Sequence, residues 1–297
     1  MSAVHGTACM GKLPSHGDFV RHGADAPWQQ RLFDWLVEGW SRALSTGRLR
    51  DLDRRLFALC ATDRADRAAA LCVQPSRDQV GRRFPFVALA ELDGDLSRPG
   101  ALLPGAFAWL EAAVPVCELA SRGAPVAEVR AHVDALKARA AAAPDVDFAA
   151  WCGETALATV LRRGAAASSA DWLRSAEYSV SAPGVPEYVV RGAGASGALE
   201  LGFAADLFAV LGAAPLRMIV CDETPDRGWR FRLLWDELRP RYLAPLFWPD
   251  APSDLAWDVA PGRDQVPASF AGRAAARVDL GIVSVQQVLE VERDGPR

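Results

Sequence analysis

The sequence predicts a mixed α+β protein in which an antiparallel or mixed sheet is flanked by helices. Three observations predict it. Apolar residues recur at helical spacing over residues 27–46, two β-like runs at 69–74 and 84–92 flank a proline-, serine- and glycine-containing segment, and helical periodicity then takes over from Phe107. A length of 297 residues is enough for one large core or two modest ones. The small, polar stretch 164–170 suggests a linker, which gives an expected division into 1–164 and 165–297.

Taken in order, Val4, Thr7, Ala8 and Met10 make a short apolar run before a loop rich in glycine and proline. Trp28, Leu32, Trp35, Leu36 and Trp40 share one helical face, with Asp25 as a candidate cap and Pro27 in the first turn. That stripe requires a covering element. Residues 56–60 form a short apolar run compatible with a strand, and 69–74 with 84–92 have the pattern of a hairpin around a long loop. Three helices are expected next: Phe107 to Val114 before Pro115, Val126 to Leu136, and Phe148 to Leu161, with Pro104 and Pro125 near the starts of the first two. The rest reads as strands at 188–191, 216–221 and 229–235, a helix near 204–211, an irregular stretch over 249–266 and a last element over 282–291. The segment Asp226-Arg227-Gly228 between two of these strands suggests a second hairpin.

Lys and Arg total 33 against 37 Asp and Glu, a net charge of −4, so no strong positive field recruits nucleic acid or an anionic membrane surface. The longest apolar stretches are interrupted by charge or proline short of the ~20 residues that span a bilayer, and the N-terminal residues lack the basic-then-apolar pattern of a secretory signal. A cytoplasmic location is expected. Cys9, Cys60, Cys72, Cys117, Cys152 and Cys221 are scattered among apolar neighbours without a Cys-x-x-Cys pair, as expected for reduced core thiols. Ten tryptophans are many for this length. Core packing is the expected role of Trp28, Trp35, Trp40, Trp109 and Trp151, and an interface role is open to Trp229, Trp235, Trp248 and Trp257.

The most informative stretch is 10–23, Met-Gly-Lys-Leu-Pro-Ser-His-Gly-Asp-Phe-Val-Arg-His-Gly, where glycine, proline and charge interrupt an N-terminal strand. Gly11-Lys12-Leu13-Pro14-Ser15 followed by Gly17-Asp18-Phe19 resembles the opening signature of the TagF (ImpM) family of type VI secretion accessory proteins. A second segment over 75–86, with Gly81-Arg82-Arg83-Phe84-Pro85, is similar to that family's serine-containing Gly-Arg-x-Phe-Pro segment. His16 stands where the family often has arginine. The resemblance covers roughly the first 150 residues. It implies a non-enzymatic, cytoplasmic role in post-translational restraint of secretion-system assembly, through a forkhead-associated scaffold protein. The residues it nominates for partner binding are Gly11, Lys12, Leu13, Pro14, Ser15, Gly17, Asp18, Phe19, Gly81, Arg82, Phe84 and Pro85.

The same residues admit other chemistries. Ser15, His16 and Asp18 could on paper supply a nucleophile, a base and an orienting carboxylate, which keeps a hydrolase as the alternative, but no Gly-x-Ser-x-Gly elbow presents the serine. His16, Asp18 and His22, with His5, could ligate a metal, yet no His-x-x-x-His pattern occurs and His132 is isolated. Gly11-Lys12 and Gly81-Arg82-Arg83 suit an anion, but the phosphate-loop pattern is absent. No cofactor is expected. A purely structural component of the secretion machinery is the third reading.

Overall fold

A computed structural model describes residues 4–45, 54–140, 148, 150, 152, 185–190, 194–211, 215–223, 229–248 and 256–258. Nine strands form one sheet in the order β2-β1-β5-β4-β3-β7-β8-β6-β9: β1 Val4–Lys12, β2 Phe19–His22, β3 Leu56–Ala61, β4 Arg67–Gln74, β5 Phe86–Asp93, β6 Val185–Val190, β7 Met218–Glu223, β8 Trp229–Leu234 and β9 Ala256–Asp258. Every pairing is antiparallel except β6 with β9, so the sheet is mixed. Helices α2 (Pro99–Ser121), α3 (Val126–Ala140) and α4 (Gly194–Leu211) cover one face, and α1 (Pro27–Ser45) with the short α5 (Leu243–Phe247) covers the other. The predicted α+β class holds.

The alternation of side chains along the central strands explains the three layers. On β4, Ala68, Ala70 and Cys72 face α2, whereas Ala69, Leu71 and Val73 face α1. On β5, Ala88 and Ala90 share the first face, and Val87 and Leu89 the second. Small residues on the α2 side let a bulky helix lie close to the sheet, and Trp109 is fully buried there. The α1 stripe is covered as its spacing requires: Leu32, Trp35 and Leu36 are buried, with Trp35 edge-on to Phe247 at 5.9 Å. Asp25 is not its cap. The residue before the helix is Ala26, and Gln29 Oε1 accepts from the Ala26 amide at 2.9 Å, half of a capping box.

Helix α2 departs most from expectation. It begins at Pro99 and runs through both Pro104 and Pro115, so Pro104 is internal rather than at the start. Pro115 and the residue four before it, Glu111, lie on the exposed face, where water can serve the carbonyl that proline leaves unbonded. By length and composition this helix is also long and apolar enough to cross a membrane, contrary to the sequence expectation. Leu103, Ala106, Trp109, Leu110, Ala113 and Val116 are nevertheless buried in the core beneath the sheet and α4. It is a core helix. The expected third helix near 148–161, the boundary near 165, the 226–228 turn and the element at 282–291 lie wholly or largely outside the described residues. Strands β7 and β8 do pair antiparallel as the second hairpin required, and β9 falls inside the stretch expected to be irregular.

All six cysteines are free and buried. Burial pushes the Cys9 and Cys60 thiols up to about 12, far from the thiolate that reactivity requires. Trp28, Trp35, Trp40, Trp109 and Trp248 are buried, and Trp229 and Trp235 are half-buried.

Candidate functional site

Strand β1 ends at a point that only glycine permits. Gly11 has φ +130°, and a Cβ there would lie 2.1 Å from the Pro85 carbonyl oxygen. This close approach, with Gly11 opposite Phe86 in the ladder, brings the chain after β1 alongside the 75–85 loop that joins β4 to β5. Three further bonds hold the two segments together. The Ser76 hydroxyl donates to the Lys12 carbonyl at 2.7 Å, the Gln79 amide to the His16 carbonyl at 3.0 Å, and Arg82 Nη2 to the Gly17 carbonyl at 2.8 Å.

The centre of the arrangement is Asp78. Its side chain is buried, and all of its acceptor capacity is used. Oδ1 accepts the amides of Val80 at 3.1 Å and Arg82 at 2.8 Å, while Oδ2 accepts Lys12 Nζ at 2.8 Å and Arg82 Nε at 2.6 Å. Burial alone would raise this carboxyl, but the hydrogen bonds from Lys12 and from Arg82 outweigh it and hold Asp78 well below the usual carboxylate range. The same residue closes the tip: its amide donates to the Arg82 carbonyl and its carbonyl accepts from Gly81, which sits at φ +88°. Arg77 and Arg83 then face one another across the narrow hairpin.

Beneath the loops lies an aromatic floor. Phe19 meets Phe33 edge-on at 5.2 Å and Phe84 at 4.9 Å, Trp40 leans on Phe84 at 5.6 Å, and Lys12 Nζ stands 5.0 Å above the Phe19 ring. The nominated residues therefore divide. Gly11, Lys12, Leu13, Phe84 and Pro85 are buried and build the platform, with Phe19 and Pro14 half-buried; Ser15, Gly17, Asp18, Gly81 and Arg82 are exposed on it. The two loops lie together and expose polar groups, with Val80 exposed at the hairpin tip. Sequence reasoning missed Asp78, Ser76 and Val80. For Asp78 a signal was available, an aspartate three before Gly81 and four before Arg82, the spacing of a side chain that caps its own turn.

Ser15 and Asp18 of the Ser15-His16-Asp18 cluster, and His22 near it, bond to other partners. Ser15 Oγ donates to the Ala124 carbonyl at 2.6 Å, Asp18 Oδ1 accepts the neighbouring Phe19 amide at 2.7 Å, and His22 Nε2 pairs with Asp134 at 2.7 Å. His5 pairs with Asp93, and His132 bonds the Glu128 carbonyl on its own helix. Among the described residues, no three His, Cys, Asp or Glu side chains come together to hold a metal.

The described residues thus form an α+β platform that displays two loops stapled by a buried carboxylate. Residues 8–136, which include both loops, match the TagF N-terminal domain, type VI secretion system-associated. The chain carries that domain and is a type VI secretion-associated protein. No curated protein matches it. Among solved structures it is similar to PA0076 from Pseudomonas aeruginosa PAO1, at 23% identity and a TM-score of 0.37, over 48% of this chain and 64% of that one.

Proposed function

We propose that this protein is a non-enzymatic, cytoplasmic regulator that restrains assembly of the type VI secretion system by occupying a forkhead-associated scaffold protein. The reading rests on the family of residues 8–136 and on one observation above all, the stapling of the two signature loops into a single exposed surface by Asp78, Lys12 and Arg82. A surface held this way loses little conformational entropy on docking, which favours recognition. The bond of Ser15 Oγ to the Ala124 carbonyl and that of Asp18 to its neighbouring amide argue against the hydrolase alternative built on Ser15, His16 and Asp18.

Co-purification of the full chain with the scaffold tests it directly. The expected outcome is a complex that Asp18→Arg weakens while the melting temperature stays unchanged, because Asp18 is exposed and its one bond is to the adjacent amide. Absence of any complex with the unaltered protein would refute the reading, as would turnover of ester or phosphoester substrates that is lost in Ser15→Ala.

A further inference from the structure

Val80 is 72% exposed at the tip of the 75–85 hairpin, and only Leu44 joins it as an exposed large hydrophobic side chain among the described residues. An aliphatic side chain this exposed on a mobile loop would mean little. Here its own amide is held by Asp78 Oδ1, and the turn beneath it is closed by the Asp78–Arg82 and Gly81–Asp78 backbone bonds. A Cβ built on Gly81 would meet no heavy atom within 4 Å, so the tip stands clear of the rest of the molecule. The charge around it runs against that of the protein. The chain is net −4, yet with Lys12 and Asp78 buried against each other the two loops expose Arg77, Arg82 and Arg83 against the single carboxylate Asp18.

We propose that this hairpin is the anchor of the docking surface: Val80 enters an apolar socket on the partner protein, and acidic groups on the socket rim meet Arg77 and Arg82. The inference rests on the regulatory reading above and names the chemistry of the partner's contact site. An apolar side chain presented by a fixed backbone loses little entropy on docking, and an apolar centre with a polar rim is the general layout of a protein interface. Arg82 serves twice, since Nε and Nη2 hold the platform while its side chain remains 61% exposed. Arg77 is exposed and stands on the opposite arm of the hairpin from Arg82.

The test measures the affinity of the full chain for the purified scaffold, with its salt dependence, for the unaltered protein and for Val80→Asp, Val80→Ser, Arg77→Glu and Leu44→Asp. Val80→Asp is expected to weaken binding about tenfold or more, and Val80→Ser somewhat less. Arg77→Glu should cost about threefold, mostly in association rate, and flatten the salt dependence. Leu44→Asp, on α1, should bind as the unaltered protein does. Melting curves for all four should coincide, because both apolar side chains are exposed. Binding by the Val80 variants within about twofold of the unaltered protein, or an equal loss in Leu44→Asp, would overturn the anchor while leaving the regulatory reading intact. Failure of the unaltered protein to bind the scaffold overturns both.

Discussion

Two buried carboxylates, Asp78 under the loops and Asp206 where α2 crosses α4, occupy sites of similar seclusion and opposite electrostatics. Asp78 receives two backbone amides and two cations, and is held firmly ionised. Asp206 accepts one amide, that of Gly100 in the first turn of α2, at 2.5 Å; burial pushes it up to about 6, with that bond and the field of Arg98 only partly opposing the rise. Its helix needs the bond, because Arg98 caps nothing with its side chain and the acceptor comes from another helix. Charge is thus retained where it positions a surface, and is costly where it only closes a helix end.

Each region is also sealed by glycine, and the sharpest way to break the comparison is at the tighter seal. Gly11→Ala must place a Cβ 2.1 Å from a backbone oxygen at φ +130°, with no flexible side chain to give way. A loss on the order of 3 kcal/mol or more in chemical denaturation is expected, together with separation of the two loops. Recovery of near-native stability in this variant would mean that the close approach of β1 to Pro85 is dispensable.

Next in size is the pH response. The Asp206 carboxyl, raised from the ordinary 3.8 to about 6, binds its proton more tightly in the folded chain than in the unfolded one. Its ionisation therefore costs stability as pH rises from about 4 to about 6, a loss on the order of 2 to 3 kcal/mol that persists above that range. Asp206→Asn keeps the acceptor for Gly100 and removes the titration, so it should stabilise the protein at pH 8 and not at pH 4. Asp78 works in the other direction, because its lowered value contributes stability above the ordinary carboxylate range that is lost as pH falls through it. Asp78→Asn should destabilise at neutral pH and make little difference in strong acid. Equal responses of the two variants at pH 8 would erase the contrast.

These sites also mark where the sequence was legible. The α1 stripe and the β4–β5 hairpin follow from local spacing, because each depends on side chains close in the chain or on turn chemistry, whereas the two signature loops meet through β1–β5 pairing and bonds such as Ser76 to Lys12, 64 positions apart. The passage of α2 through two prolines could not be read locally. Burial of Trp109 and its neighbours against sheet and helix overrides a rule that holds for exposed helices. The role of Asp206 depends on a residue 106 positions away. Asp78 lay inside the matched segment, but the patterns that draw attention to aspartate look for exposed chemistry, and its importance comes from being covered.

A smaller effect separates tight packing from strain. Gly202 on α4 would place a Cβ 3.0 Å from Phe148 and 3.1 Å from the Gly100 Cα, distances that a slight helix displacement relieves. Gly202→Ala is expected to cost about 1 to 2 kcal/mol, less than Gly11→Ala, with the α2 cap at Asp206 weakened and the loops untouched. Binding to the scaffold should therefore persist in this variant at temperatures where it remains folded.

The smallest effect on stability belongs to Arg82, and it should be the most visible in the loops. Its side chain is mostly exposed although the carboxylate it meets is buried, and a glutamine there can still donate to Asp78, so Arg82→Gln should cost no more than about 1 kcal/mol and hardly move the melting curve. The Lys12–Asp78 pair and the Val80 amide bond would persist, since neither involves the Arg82 side chain. What is lost is the Nε bond to Asp78 and the bond from Nη2 to the Gly17 carbonyl, one of the side-chain links from the hairpin to the N-terminal loop. Amide hydrogen exchange should accordingly quicken at Gln79, whose proton is bonded to the His16 carbonyl across the same junction, and stay slow in β4 and β5. A variant that melts several degrees lower, with faster exchange throughout the sheet, would place Arg82 with Gly11 among the residues that build the platform rather than those that align its two loops.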